Sequence, residues 1–274
     1  MGNWIKASLA RVGHLWVENP WYLLGLFFRF FATDADKATL LFSTAEQKRS
    51  GYLRQTARSF MRTIFPIIGI GIIAGVILGN LGAELGLITQ RIFEDAAFSI
   101  LLRDVLPLIL SVTLIARFGS SIAAKFSFLK VTRSYIPSNE EEVPRISSKQ
   151  LRRLVTPYIV SGMLTCIPFY LCIVWFAISG YVNEGAVRLI SIRETRDFLT
   201  QQNLTDSFMK GGALSIVYGG VIAYISSGIG IEYAEKTIYD GQTEDDNYYA
   251  VWESSAFSLL VCITINIILA ILYK

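Results

Sequence analysis

The chain has 274 residues, of which 53% are apolar and only 17% charged. Average soluble domains carry about a quarter charged residues, so this chain lacks the charge to coat a water-facing surface, which excludes a soluble enzyme, a disordered protein and a nucleic-acid binder. The formal net charge of +3 is too small to demand a polyanionic partner.

The first sixty or so residues differ from the rest. At 100° per residue, Trp4, Ile5, Leu9, Val12, Leu15 and Trp16 fall on one arc of about 140°, and Lys6, Arg11 and His14 lie off it. The pattern predicts an amphipathic helix over residues 3–16, ended by Asn19-Pro20. Trp21 to Phe31 is apolar all round, too short to span and interrupted by Arg29, with no cleavage site after it. A helix lying in the membrane interface accounts for the Trp-rich, basic composition. Residues 33–62 read as a polar, largely helical connector.

Beyond that point, uncharged stretches set the architecture. Residues 63–83, 154–183, 211–231 and 254–273 contain no charge. Crossing the hydrocarbon core takes about 20 residues at 1.5 Å rise, so each can span. Residues 96–116 form a fifth candidate despite Arg103 and Asp104, because 105–116 is uncharged and the chain needs a return crossing. The fold class is therefore all-α and polytopic, with an N-terminal interfacial helix and connector over 1–62 and five spans over 63–274.

Basic residues set the orientation. Nine precede the first span and eight lie in the 117–153 loop, so seventeen of the 25 occupy two segments. The positive-inside rule makes both cytoplasmic. The acidic loop 232–253 then also lies inside, since acidic residues contribute little to that rule.

No catalytic constellation is visible. His14 is the single histidine, which excludes His-based triads and multi-His metal sites, and no Walker A sequence occurs. Cys166, Cys172 and Cys262 lie in apolar runs and read as packed or lipid-facing thiols. Asn203-Leu204-Thr205 is a formal glycosylation sequon, a triplet that chance supplies often.

Three features carry more information. Gly71, Gly75 and Gly79 form a flat ridge on one face of the first span, suited to close helix packing or to leaving room for an apolar ligand. Arg103 and Asp104 are charges inside a span, which mark a functional site by default or else pair near the outer interface. Pro107 lacks the N–H that would bond the Arg103 carbonyl, so the backbone there can bend or offer an acceptor. Residues 115–130, IARFGSSIAAKFSFLK, leave the span at Arg117 and Gly119 and continue as a short basic amphipathic helix. Such a helix can dock a soluble partner or rest on anionic headgroups.

These segments resemble the MlaE/YrbE family of permeases, the membrane subunits of ABC-type lipid transporters that work with MCE-domain proteins. IGIIAGVILGNLG at 70–82 is similar to that family's glycine-rich first full span. RDVLPLILSVTLIARFGSSIAA at 103–124 resembles its Arg-Asp/Glu-x-x-Pro segment followed by Gly-Arg-x-Gly-Ser, and LRRLVTPYIVSG at 151–162 the start of the next span. The likeness covers roughly residues 50–274. Leu106 and Ala116 replace glycines usual in the family and Lys125 replaces a glutamate; the 133–144 loop is a few residues longer.

The resemblance implies a homodimeric inner-membrane permease with no cofactor of its own. ATP would be hydrolysed by an ABC ATPase on the cytoplasmic side, and an MCE-type lipid-binding protein would sit on the outer side. The substrate would be a phospholipid or similar lipid. Gly71, Gly75, Gly79, Arg103, Asp104 and Pro107 would belong to the lipid pathway, and Arg117, Gly119, Lys125, Lys130 and Arg133 to ATPase coupling. An ion-coupled secondary transporter using Arg103-Asp104, and a non-transporting membrane scaffold, are the alternatives.

Overall fold

A computed structural model describes residues 46–89, 98–127, 148–183, 189–240 and 244–272. The predicted interfacial helix at 3–16, the apolar segment 21–31, and Lys130 and Arg133 lie outside these residues. Every regular element among them is helical: α1 (Glu46–Thr89), α2 (Phe98–Ser127), α3 (Ser148–Val182), α4 (Ile192–Gln201), α5 (Thr205–Asp240) and α6 (Glu244–Leu272). Five of the six are long and apolar enough to cross a membrane, over Leu53–Glu84, Phe98–Ser127, Val155–Val182, Thr205–Tyr233 and Tyr248–Leu272. The protein is an all-α, polytopic membrane protein.

The helices run past the ends of the uncharged stretches. α1 passes without a break through the 62/63 position, and Arg54, Arg58 and Arg62 sit exposed on it. Within a helix the backbone is satisfied by its own i→i−4 bonds, so it can run on past the hydrocarbon layer, and long basic side chains near its ends reach polar surroundings. α2 likewise continues through Arg117 and Gly119 to Ser127. The short basic helix expected after residue 119 is the last part of α2.

Contacts divide the chain into two compact units. The first takes in the described parts of Phe60–Leu114, Ser161–Gly220 and Val261–Lys274. Here α1 and α3 meet through the glycine ridge. A Cβ on Gly71 would lie 2.7 Å from Phe169, on Gly75 2.6 Å from Phe176 Cβ, and on Gly79 2.5 Å from the Ala177 carbonyl. The α3 side of this contact also uses a small residue, Gly180, whose own Cβ would lie 3.1 Å from Gly79 Cα. Backbones come this close only where side chains are absent, which gives van der Waals attraction in a medium offering little hydrophobic drive between helices. The opposite face of α1 leaves Ile70, Ile73 and Ile77 exposed, as a lipid-facing surface requires.

Helix α4 is short, and local chemistry defines both its ends. Ser191 accepts from the Glu194 N–H and the Glu194 carboxylate accepts from the Ser191 N–H, a complete capping box. At the other end Leu204 N–H bonds the Leu199 carbonyl (2.8 Å) and Asn203 N–H bonds that of Thr200 (3.2 Å), a Schellman motif. Asn203 takes the left-handed conformation this closure needs, φ 53°, which asparagine tolerates better than most residues. Leu199 and Leu204 are buried beside the closure. Phe198 meets Phe98 and Tyr181 edge-on at centroid distances of 5.9 and 5.8 Å, fastening α4 to the start of α2 and the end of α3.

The second unit takes in the described parts of Met1–Ser59, Ile115–Val160 and Val221–Leu260. Gly230 on α5 lets that helix approach α2, its Cβ position lying 2.7 Å from the Ala123 carbonyl and 2.8 Å from Phe126 Cβ. Phe126 in turn meets Tyr158 edge-on at 5.2 Å. Ser254 on α6 donates to Ser226 on α5 at 2.8 Å, a buried hydrogen bond between the two helices.

Candidate functional site

The site is built around a local departure from α-helix. Residues Leu101–Val105 form a π-turn, in which the Leu106 N–H bonds the Leu101 carbonyl, five residues back. In an α-helix that N–H would serve Leu102. In the π register the Leu102 carbonyl would look to residue 107, but Pro107 has no N–H. Leu102 is therefore left without a helical donor, and its carbonyl is buried in a span where water cannot compensate. Tyr170 Oη on α3 supplies the missing hydrogen at 3.0 Å. The sequence located this backbone defect at Pro107 but assigned it to Arg103; the π register moves the carbonyl that finds an outside donor to Leu102.

Inside the same turn lie the two intramembrane charges. Arg103 Nε donates to both Asp104 oxygens at 3.0 and 3.1 Å, and Nη2 donates to Oδ2 at 2.7 Å. Their side chains are 24% and 15% exposed, so the pair is partly desolvated. Each charge alone would cost roughly 2.5–3.5 kcal/mol at the centre of a span; together they present a dipole with no net charge. The Asp104 carbonyl accepts from Asn266 Nδ2 of α6 at 3.1 Å. The α2–α5 contact nearby is sealed by Ser99 and Ser207, whose hydroxyls lie 2.5 Å apart.

The predicted residues therefore separate. Gly71, Gly75 and Gly79 are covered by α3 of the same chain, while Arg103, Asp104 and Pro107 cluster in one turn of α2. The two groups share a support. Phe169 packs on Gly71 and the next residue, Tyr170, bonds Leu102. Sequence reasoning missed Tyr170 and Asn266. The signal available was Pro107 itself, since a proline within a span asks for a donor from elsewhere; nothing in the chain said which residue would provide it.

Of the residues assigned to coupling, Arg117 is exposed and Gly119 buried within a second π segment, Ile115–Gly119. The Ala116 carbonyl in that segment accepts from Ser120 Oγ at 2.6 Å. Lys125 donates to Tyr158 Oη, a hydrogen bond that ties the end of α2 to the start of α3. Among the described residues no cluster of three His, Cys, Asp or Glu side chains could hold a metal ion.

Five spans, a glycine-packed helix pair and an ion pair held in a π-turn define a polytopic α-helical membrane protein with a polar site inside its apolar layer. The family described as Permease MlaE matches residues 52–272. The chain belongs to that family and is a membrane permease. A comparison with curated proteins finds no match.

Proposed function

We propose that this permease is the membrane subunit of an ATP-driven lipid transporter. It works as a homodimer in the inner membrane with its N-terminus in the cytoplasm. An ABC ATPase binds on that side and an MCE-type lipid-binding protein on the other, and a phospholipid or similar lipid passes between membrane and partner. The observation that carries this reading is the family match across 52–272. The chain itself has no Walker A sequence, so ATP hydrolysis falls to the partner and this subunit is not an enzyme.

Within this reading the Arg103–Asp104 pair and Pro107 shape the outer end of the lipid pathway. A net-neutral dipole in a span suits a zwitterionic or anionic headgroup accompanied by apolar chains. Gly71, Gly75 and Gly79 serve the pathway by fixing α1 on α3, which leaves the isoleucine face of α1 toward lipid. Arg117 and Gly119, with Lys125, Lys130 and Arg133 further along, form the cytoplasmic segment that meets the ATPase.

Native mass spectrometry of the complex extracted from its own membrane tests the assignment. The expected species contains two copies of this chain, an ATPase pair, an outer lipid-binding partner and bound phospholipid. A lone chain whose transport in vesicles ignores nucleotide and follows an ion gradient would establish the secondary-transporter alternative instead.

A further inference from the structure

We propose that Tyr170 and Asn266 are positioning residues for the Arg103–Asp104 pair: together they hold α2 in its π register and so decide where the two charges sit. The inference rests on the pair serving the permease's substrate, as proposed above.

The argument begins with the backbone. Two registers compete at this turn. In the α register, Leu106 N–H bonds Leu102 and the carbonyl facing Pro107 is that of Arg103. In the observed π register, Leu106 N–H bonds Leu101, and Leu102 is the carbonyl left over. The Tyr170 hydroxyl lies 3.0 Å from the Leu102 carbonyl, so it satisfies the π register specifically. It is also 3.1 Å from the Phe208 carbonyl. A hydroxyl has one hydrogen to give. Phe208 sits within α5, where Gly212 provides an ordinary helical donor, whereas Leu102 has none, so the hydrogen belongs to Leu102.

The space for this contact is also specified. Gly211 stands against the Leu102 carbonyl, and a Cβ there would come within 2.5 Å of Tyr170 Oη. From the other side Asn266, only 8% exposed, donates to the Asp104 carbonyl. Helices α3, α5 and α6 thus converge on a single turn of α2. Without them the turn can revert to α, and one residue of register rotates the flanking chain by about 100°. Arg103 and Asp104 would then face different neighbours.

The test uses the complex reconstituted in phosphatidylethanolamine/phosphatidylglycerol vesicles, with fluorescent phosphatidylethanolamine as the probe for binding and transfer. Tyr170→Phe and Asn266→Leu should each weaken probe binding about tenfold, the effect of losing one buried hydrogen bond. Tyr170→Phe should also lower thermal stability. The decisive variant is Tyr170→Phe combined with Pro107→Ala, which returns an N–H to residue 107. That N–H can serve Leu102 in the π register or Arg103 in the α register, and with either satisfied the ordinary α geometry prevails. Stability should recover in this double variant while binding stays weaker than in Pro107→Ala alone, the comparison that removes any contribution of Pro107 itself. Recovery of both would make Tyr170 a hydrogen-bond donor with no positioning role and overturn the proposal. Arg103→Ala separates the two levels: wild-type binding there refutes the site reading itself. Lost binding in Arg103→Ala with normal binding in Tyr170→Phe refutes only the positioning role.

Discussion

Gly69 and Gly79 lie on the same helix and should answer the same substitution in opposite ways. A Cβ on Gly69 meets nothing within 4 Å, whereas one on Gly79 meets the Ala177 carbonyl at 2.5 Å and Gly180 Cα at 3.0 Å. Alanine at 69 removes backbone freedom from the unfolded chain and should raise stability by about 0.5–1 kcal/mol. At 79 the clash is with backbone, which cannot swing aside, and overpacking of this kind costs about 1–3 kcal/mol. Thermal unfolding in detergent should separate the two variants by several degrees. The four-residue spacing of the ridge was readable in the sequence, because small residues at that spacing always share a helix face. Its partner was not, because Phe169, Ile173, Phe176 and Ala177 look like any apolar run until α3 is placed against them.

At the scale of elements, helix α4 was unrecognised in the sequence although its end signals are strong. Ser191 followed by Glu194 is a capping box, and Asn203 stands where a left-handed residue closes the helix. An amphipathic helix of ten residues carrying Arg193, Glu194, Arg196 and Asp197 leaves no uncharged run to mark it between two spans. Ser191→Ala should cost about 0.5–2 kcal/mol. Asn203→Val, a β-branched residue forced to positive φ, should cost about 1–2 kcal/mol, whereas Asn203→Gly should be nearly neutral. Amide hydrogen exchange across residues 192–201 reads both effects. The expected pattern is faster exchange in the Ser191→Ala and Asn203→Val proteins, with Asn203→Gly exchanging like the wild type. Equal exchange in the wild type and every variant would mean that packing of Phe198 and Leu199 alone sustains the helix. The two π segments of α2 were equally hidden, since a π-turn depends on hydrogen-bond register, which residue periodicity over five positions does not resolve.

For the whole molecule, hydropathy disclosed the five spans because crossing hydrocarbon demands only length and apolar side chains. It did not disclose their ends, which continue through charged residues able to reach the interface. The proposed orientation rests on the seventeen basic residues gathered in two segments. With Cys166, Cys172 and Cys262 all lying within spans, new single cysteines can be read against a quiet background. A cysteine at residue 202 should react with a membrane-impermeant maleimide added outside intact cells. One at residue 139 should react only after the membrane is opened. The reverse result would invert the topology and place the Arg103–Asp104 pair nearer the cytoplasmic face.

A π-turn contains one residue more than an α-turn needs. Deleting Val105 would convert the Leu101–Val105 segment to α geometry and leave the helix on either side in its present phase. Leu102 would still face Pro107, now four residues on, and would still require the Tyr170 hydroxyl. A deletion within Leu106–Leu114 would instead turn everything beyond it by about 100°. Helix α2 thus has two points, at Leu101–Val105 and Ile115–Gly119, where related chains can differ in length by one residue while burying the same faces. Single-residue gaps between homologous sequences should collect at these two turns.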